Sequence, residues 1–139
     1  MSRDTRELVA ALRATSAFAD LGKTEIEDLA EHSQRTSVPK GWALIQQNTP
    51  ADACYVILEG SASVRVKDKE VATLEAGAVV GETGLAEHRL RNASVFATTG
   101  LDVLRVDASQ FTDLLSRRPK LATVILARTS PAAEATSKQ

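Results

Sequence analysis

Between Val80 and Val95 the chain reads VGETGLAEHRLRNASV, which places an acid and a base where a plain connection needs neither. A strand-to-strand turn requires only a few residues. Gly81 and Gly84 bracket Glu82 and Thr83, a pattern that suits a single helical turn whose first backbone N–H groups point outward and attract an anion. Arg91 follows, and a guanidinium can hold a phosphate bidentately. The stretch therefore reads as amides and Arg91 taking a phosphate while Glu82 accepts from a sugar hydroxyl. An acid and an arginine in one loop also form structural ion pairs, so spacing alone leaves ligand site and ion pair both open.

Other residues with chemical potential lead nowhere. Asn92-Ala93-Ser94 matches a glycosylation sequon, but no secretory signal gives it meaning. Gly60-Ser61 lacks the second glycine of a nucleophile elbow, and Ser61 reads as a solvent-facing strand serine. His32 and His88 fall at a helix end and in a loop, without a third histidine or a Glu-x-x-His pair, and read as surface residues. Cys54 opens an apolar strand and reads as a small buried hydrophobe. The basic cluster SRRPK closes a helix, where positive charge complements the macrodipole.

The elements that must position Glu82 and Arg91 are legible on either side. From Thr5 to His32, Leu8, Leu12, Phe18, Leu21, Ile26 and Leu29 recur at three- and four-residue steps, which predicts two helices broken at ADLGKTEIE. Gly22 is expected to end the first helix, and Thr24 with Glu27 to start the second as a capping box. The pair has a helix-turn-helix shape without a basic stripe, so it is expected to pack on a sheet and touch no DNA. After His32 the periodicity shortens. RTSV, WALI, CYVILEG, SASVRVK, EVATL, NASVFAT and DVLRV are β-rich runs separated by turn residues, which predicts seven or eight strands in a small barrel or jelly roll. In SASVRVK, Val64 and Val66 form a dry face and Ser63, Arg65 and Lys67 a wet one. From Asp107 the chain turns helical again with Phe111, Leu114 and Leu115 on one face. Pro119 interrupts, KLATVILAR continues as a short apolar helix, and TSPAAEATSKQ reads as a frayed tail.

Composition bounds the class. At 139 residues the chain suits one domain that buries roughly 68–70% of its unfolded surface. A hydrophobic fraction of 43% and a charged fraction of 25% favour neither disorder nor a membrane class. The net charge of −1 gives no global footprint for nucleic acid or an anionic membrane. One cysteine excludes an internal disulfide, and with two histidines it cannot build an ordinary zinc site, so no metal is expected and a reducing cytoplasm fits. No apolar run approaches the roughly 18 residues of a membrane span.

The chain resembles the cyclic nucleotide-binding domains of bacterial catabolite activators, protein kinase A regulatory subunits and cyclic-nucleotide-gated channels. SAFADLGKTEIEDLAEHSQ is similar to that family's first helices, VPKGWALIQQNTPADACYVILEGSASV to its first strands, and LEAGAVVGETGLAEHRLRNASV to its phosphate-binding cassette. The resemblance implies a mainly β fold with flanking helices, an eight-stranded jelly-roll barrel, in one domain over residues 1–130. Its helices would occupy 5–32, its barrel 33–106 and its C-terminal helices 107–128, with a flexible tail over 131–139. It further implies that Gly60, Gly77 and Gly81 are turn glycines, that Glu82 accepts from the ribose 2′-hydroxyl, and that Arg91 binds the cyclic phosphate. Backbone amides near Thr83, Gly84 and Ala93 would complete the cradle.

Three departures stand out. Thr83 replaces a usual aliphatic residue, Asn92 replaces a usual Ala, Ser or Thr, and SPAAEATSKQ stands where a lid helix normally caps the base. By this resemblance the chain is a regulatory module that binds cAMP or cGMP, not an enzyme. It would signal through a protein partner or through its C-terminal helices, with no direct nucleic acid contact and no membrane insertion. The alternative is a degenerate member that keeps the fold as a protein-interaction surface.

Overall fold

The computed structural model describes residues 3–15, 18–50, 52–80 and 93–127. Helix α1 (Arg3–Ala14) buries Leu8 and Leu12, one turn apart on a single face. Backbone bonds Thr15 N–H to Leu12 O and Phe18 N–H to Thr15 O then wind the chain so that Phe18 is fully buried. Helix α2 (Lys23–Glu31) buries Ile26, Leu29 and Ala30.

The expected capping box is not formed. Gly22, in an extended conformation, is the N-cap of α2 rather than the end of α1, and its carbonyl already accepts from Ile26 N–H. Thr24 therefore lies inside the first turn, too late to cap it. Glu27 turns to Lys23 instead, at 3.8 Å.

The strands are β1 (Gln34–Val38), β2 (Ala43–Ile45), β3 (Ala53–Glu59), β4 (Ala62–Val66), β5 (Lys69–Leu74), β6 (Val79–Val80), β7 (Ser94–Ala97) and β8 (Leu101–Asp107). They form two antiparallel four-stranded sheets, ordered β1-β8-β3-β6 and β2-β7-β4-β5, in a jelly roll. The hairpin between β4 and β5 turns through Lys67 and Asp68, both at positive φ, the backbone that matches the twist of a two-residue connection. Helices α3 (Ala108–Arg117) and α4 (Pro119–Ala127) follow, with Pro119 at the first helical position, where its missing N–H costs nothing.

The centre of the first sheet, β3 with β8, is largely dry on both faces, which explains why β3 reads as an almost unbroken apolar run, whereas the edge strand β1 is mostly exposed. Cys54, Val56, Val79, Leu104 and Val106 pack with Leu8, Leu12, Phe18, Ile26, Phe111, Leu114 and Leu121 of the helices. Ile57, Val80, Leu101 and Val103 point the other way, into the barrel, and meet Ile45, Val64, Leu74 and Val95 of the second sheet.

That second sheet corrects one expectation. Ser63 was expected on a wet face but is fully buried. It donates to Glu70 at 2.7 Å and accepts from Arg65 at 3.2 Å, so its neighbours' polar ends close over it.

Candidate functional site

Segment 81–92 joins β6, an edge strand of one sheet, to β7, an inner strand of the other. Gly81, Glu82, Thr83, Gly84, Arg91 and Asn92 lie outside the described residues. Ala93 is described: it is half-buried and packs against the barrel core. The described residues define what this segment is anchored to.

Val80 pairs with Tyr55 on β3, while Val95 pairs with Val64 on β4 and Ile45 on β2. The described residues Val80 and Val95, on either side of the segment, are thus both buried in the barrel core. Its exit is tied down by polar contacts. Ser94 Oγ accepts from the backbone N–H of Gln47 at 2.8 Å, and Gln47 Oε1 accepts from Lys67 N–H at 3.2 Å. The loop that carries Gln47 turns at Asn48, whose φ is +69°, and Thr49 Oγ1 closes it by donating to Gln46 O at 2.6 Å. Asn tolerates that backbone better than most residues.

A cleft of about 330 Å³ lies beside this loop, lined by Leu44, Ile45, Gln46, Thr49, Asp52 and Tyr55 among others. Arg105, which pairs with Tyr55 across β3 and β8, serves structure here. The Tyr55 hydroxyl accepts its hydrogen bond and Asp107 and Asp52 add negative charge, so its guanidinium is raised above the ordinary value in spite of burial. That arginine is already committed. Among the described residues, no group of three or more His, Cys, Asp or Glu side chains is arranged to hold a metal ion.

A second polar cluster escaped the sequence reading. The side chain of Asp28 on α2 is only 8% exposed, and Arg117 and Arg118 reach its Oδ2 at 2.6 and 2.8 Å. His32, the C-cap of α2, brings Nδ1 to 2.9 Å from the other carboxylate oxygen, and so belongs to this cluster rather than to open surface. Burial pushes the Asp28 carboxyl up, but hydrogen bonds from Arg118 and Arg117 and the charges of Arg117 and His32 outweigh it and hold the carboxyl below its ordinary value. The SRRPK cluster does more than complement a helix dipole: it fastens α3 to α2. No local pattern could have paired residues this far apart.

Comparison with known proteins defines the class. The model of the family described as cyclic nucleotide-binding domain matches residues 35–118, and the chain belongs to that family. It is 38% identical over 109 residues to the cAMP-dependent protein kinase type II regulatory subunit of Drosophila melanogaster, a match over 75% of this chain and 29% of that protein. It is 31% identical over 117 residues to an uncharacterized NTE family protein of Mycobacterium tuberculosis, over 84% of this chain and 20% of that protein. The chain therefore spans less than a third of either relative. Among solved structures, a cAMP-binding acyltransferase from Mycobacterium smegmatis superposes with a TM-score of 0.75 at 24% identity, over 91% of this chain and 40% of that one. At that identity the likeness concerns the fold.

Proposed function

We propose that residues 1–130 form a regulatory module that binds cyclic AMP or cyclic GMP through segment 81–92. Arg91 and the amides around Gly81, Thr83, Gly84 and Ala93 hold the cyclic phosphate, and Glu82 accepts from the ribose 2′-hydroxyl. Membership of the family supports the ligand class. The observation that supports the site is one of connectivity: the GETG…RNA stretch links β6, an edge strand of one sheet, to β7, an inner strand of the other. A carboxylate beside a phosphate is repulsive unless a donor lies between, and a ribose hydroxyl is such a donor.

The module acts as a switch for a separate output, not as a catalyst. Relatives support this, since a kinase regulatory subunit and an acyltransferase described as cAMP-binding both carry similar segments within longer chains. The output partner here is a protein. Among the described residues, no helix is long and apolar enough to cross a membrane.

Isothermal titration of cyclic AMP and cyclic GMP tests the reading. Arg91→Ala should cost roughly 2–5 kcal/mol, about 1.5 to 3.5 decades of affinity, because a desolvated phosphate loses its bidentate cation. Glu82→Gln and the 2′-deoxy ligand should each lose about 1.5–3 kcal/mol, one charge-assisted hydrogen bond. An Arg91→Ala chain that binds as tightly as the parent would remove the phosphate assignment. No binding by the parent would return the chain to the interaction-domain alternative.

A further inference from the structure

The register between β3 and β8 shifts between Ile57 and Glu59, so that Leu58 is an extra residue and Glu59 stands directly opposite Asp102. Leu101 and Val103 point into the barrel, which leaves Asp102 between them on the side that faces the helices, and Leu58 packs with the core on that side too. The bulge has re-aimed Glu59, as bulges near the end of a strand do. It places two carboxylates side by side across neighbouring strands, an arrangement that destabilises a sheet.

Among the described residues, one cation answers these two charges. Arg35 of β1 donates through Nε to both oxygens of Asp102, at 3.0 and 3.1 Å. That hydrogen bonding raises the guanidinium above its ordinary value; burial opposes the rise, and the charges of Asp102, Glu7 and Glu59 favour it. The Glu59 carboxylate itself has no hydrogen bond or ion pair among the described residues.

Two clefts meet at Glu59 and Asp102. One, of about 420 Å³, is lined by Ala11 and Ala14 of α1 with Leu58 and Ala76; the other, of about 690 Å³, is lined by Val38, Pro39, Gly60 and Leu101. The corner therefore offers an unanswered negative charge between apolar surfaces. An arginine or lysine has the matching division, an apolar stem and a charged head. A small inorganic cation would answer the charge and leave the apolar walls wet.

We infer that this corner of the first sheet docks a segment of a protein partner, with one arginine or lysine of that segment at Glu59 and Asp102 and its apolar neighbours in the two clefts. The inference rests on the charge and shape of the corner and is independent of the nucleotide reading. A local arrangement that works against stability is where function is expected, and a charge pair of this kind steers a partner and fixes its register.

Two measurements on the full chain test it. Glu59→Gln removes the unanswered charge and keeps the shape, so its urea midpoint should lie above that of the parent at low salt. The difference should largely close at about 1 M salt, where exposed charges are screened. A midpoint equal to or below the parent's, or a gain indifferent to salt, overturns the inference, because Glu59 would then carry no unanswered charge.

The second measurement follows amide chemical shifts during titration with a synthetic heptapeptide of alanine and leucine around one central arginine, and with its citrulline counterpart. The arginine peptide should move the signals of Ala14, Leu58, Gly60 and Asp102 while those of β5 stay still. It should bind about fivefold more tightly than the citrulline peptide and lose that margin in Glu59→Gln. Equal binding of the two peptides, or no movement at these residues, overturns the docking surface. Self-association of the parent that disappears in Glu59→Gln would give the groove to a second copy of the chain. Movement of the same signals on deletion of Ala132 to Gln139 would give it to the tail, and either result overturns a separate partner.

Discussion

Gly60 follows β3 at a φ of +101°, and a Cβ built on it would collide with the carbonyl oxygen of Gly100. Both facts exclude a side chain. The backbone disfavours one, and the obstacle is another backbone that cannot swing away. Gly60→Ala should therefore cost at least about 2 kcal/mol, combining strain at positive φ with overpacking against Thr99, Gly100 and Leu101. A urea midpoint within error of the parent would show that the turn between β3 and β4 relaxes freely. Gly41 provides the contrast, because its φ is +86° but nothing lies within 4 Å of a built Cβ. Alanine there should meet only the backbone penalty.

At the scale of elements, the α2–α3 contact makes stability depend on pH in a direction that the Asp28 shift fixes. The native carboxyl is held below its unfolded value, so the unfolded chain binds the proton more readily. The contribution is fully present above the unfolded value of about 3.9 and disappears as pH falls through the native one. Urea midpoints of the parent and Asp28→Asn should converge on acidification from about pH 6 to pH 3. A constant gap would show that the cluster does not titrate as stated.

This contact also marks what was legible in the sequence. Leu8, Leu12, Ile26 and Leu29 announced their helices because period and burial coincide, whereas Phe18 and Leu21, expected in the first helix, are buried but lie between α1 and α2. The strand runs announced themselves through β-branched residues between turn signals. Ser63 did not, since alternation assigns a face but not the neighbours that fold over it. The α2 start was misplaced because glycine at an N-cap carries no side-chain signature. Asp28 and Arg117 stand 89 residues apart, and only tertiary structure joins them. Of the candidate site, Gly81 to Asn92 stood out as a motif but lie outside the described residues, and the polar tie of Gln47 to Ser94 left no signal in the sequence.

For the whole molecule, the first sheet is a shared wall. Val103 and Leu104 are neighbours on β8, yet one faces the barrel interior and the other the helices. Damage on either side should spread through that wall. Leu104→Ala is expected to cost about 2–5 kcal/mol. It should also keep one coincident transition in far-UV circular dichroism and in the near-UV signal of Tyr55, which reports from the barrel side. Two separated transitions would mean that the helical layer and the barrel melt independently.

Trp42 is the chain's one tryptophan, and it stands 66% exposed on the turn before β2. Its backbone is nonetheless pinned to the end of β7, with Gly41 N–H donating to Ala97 O and Ala97 N–H to Trp42 O. Optically, the indole sits in water on a fixed mount. Its emission begins near that of a hydrated ring, so melting the protein leaves little room for a red shift. A body that settles on this corner would draw the emission to the blue. The chain's natural fluorophore is thus a poor thermometer and a good contact sensor.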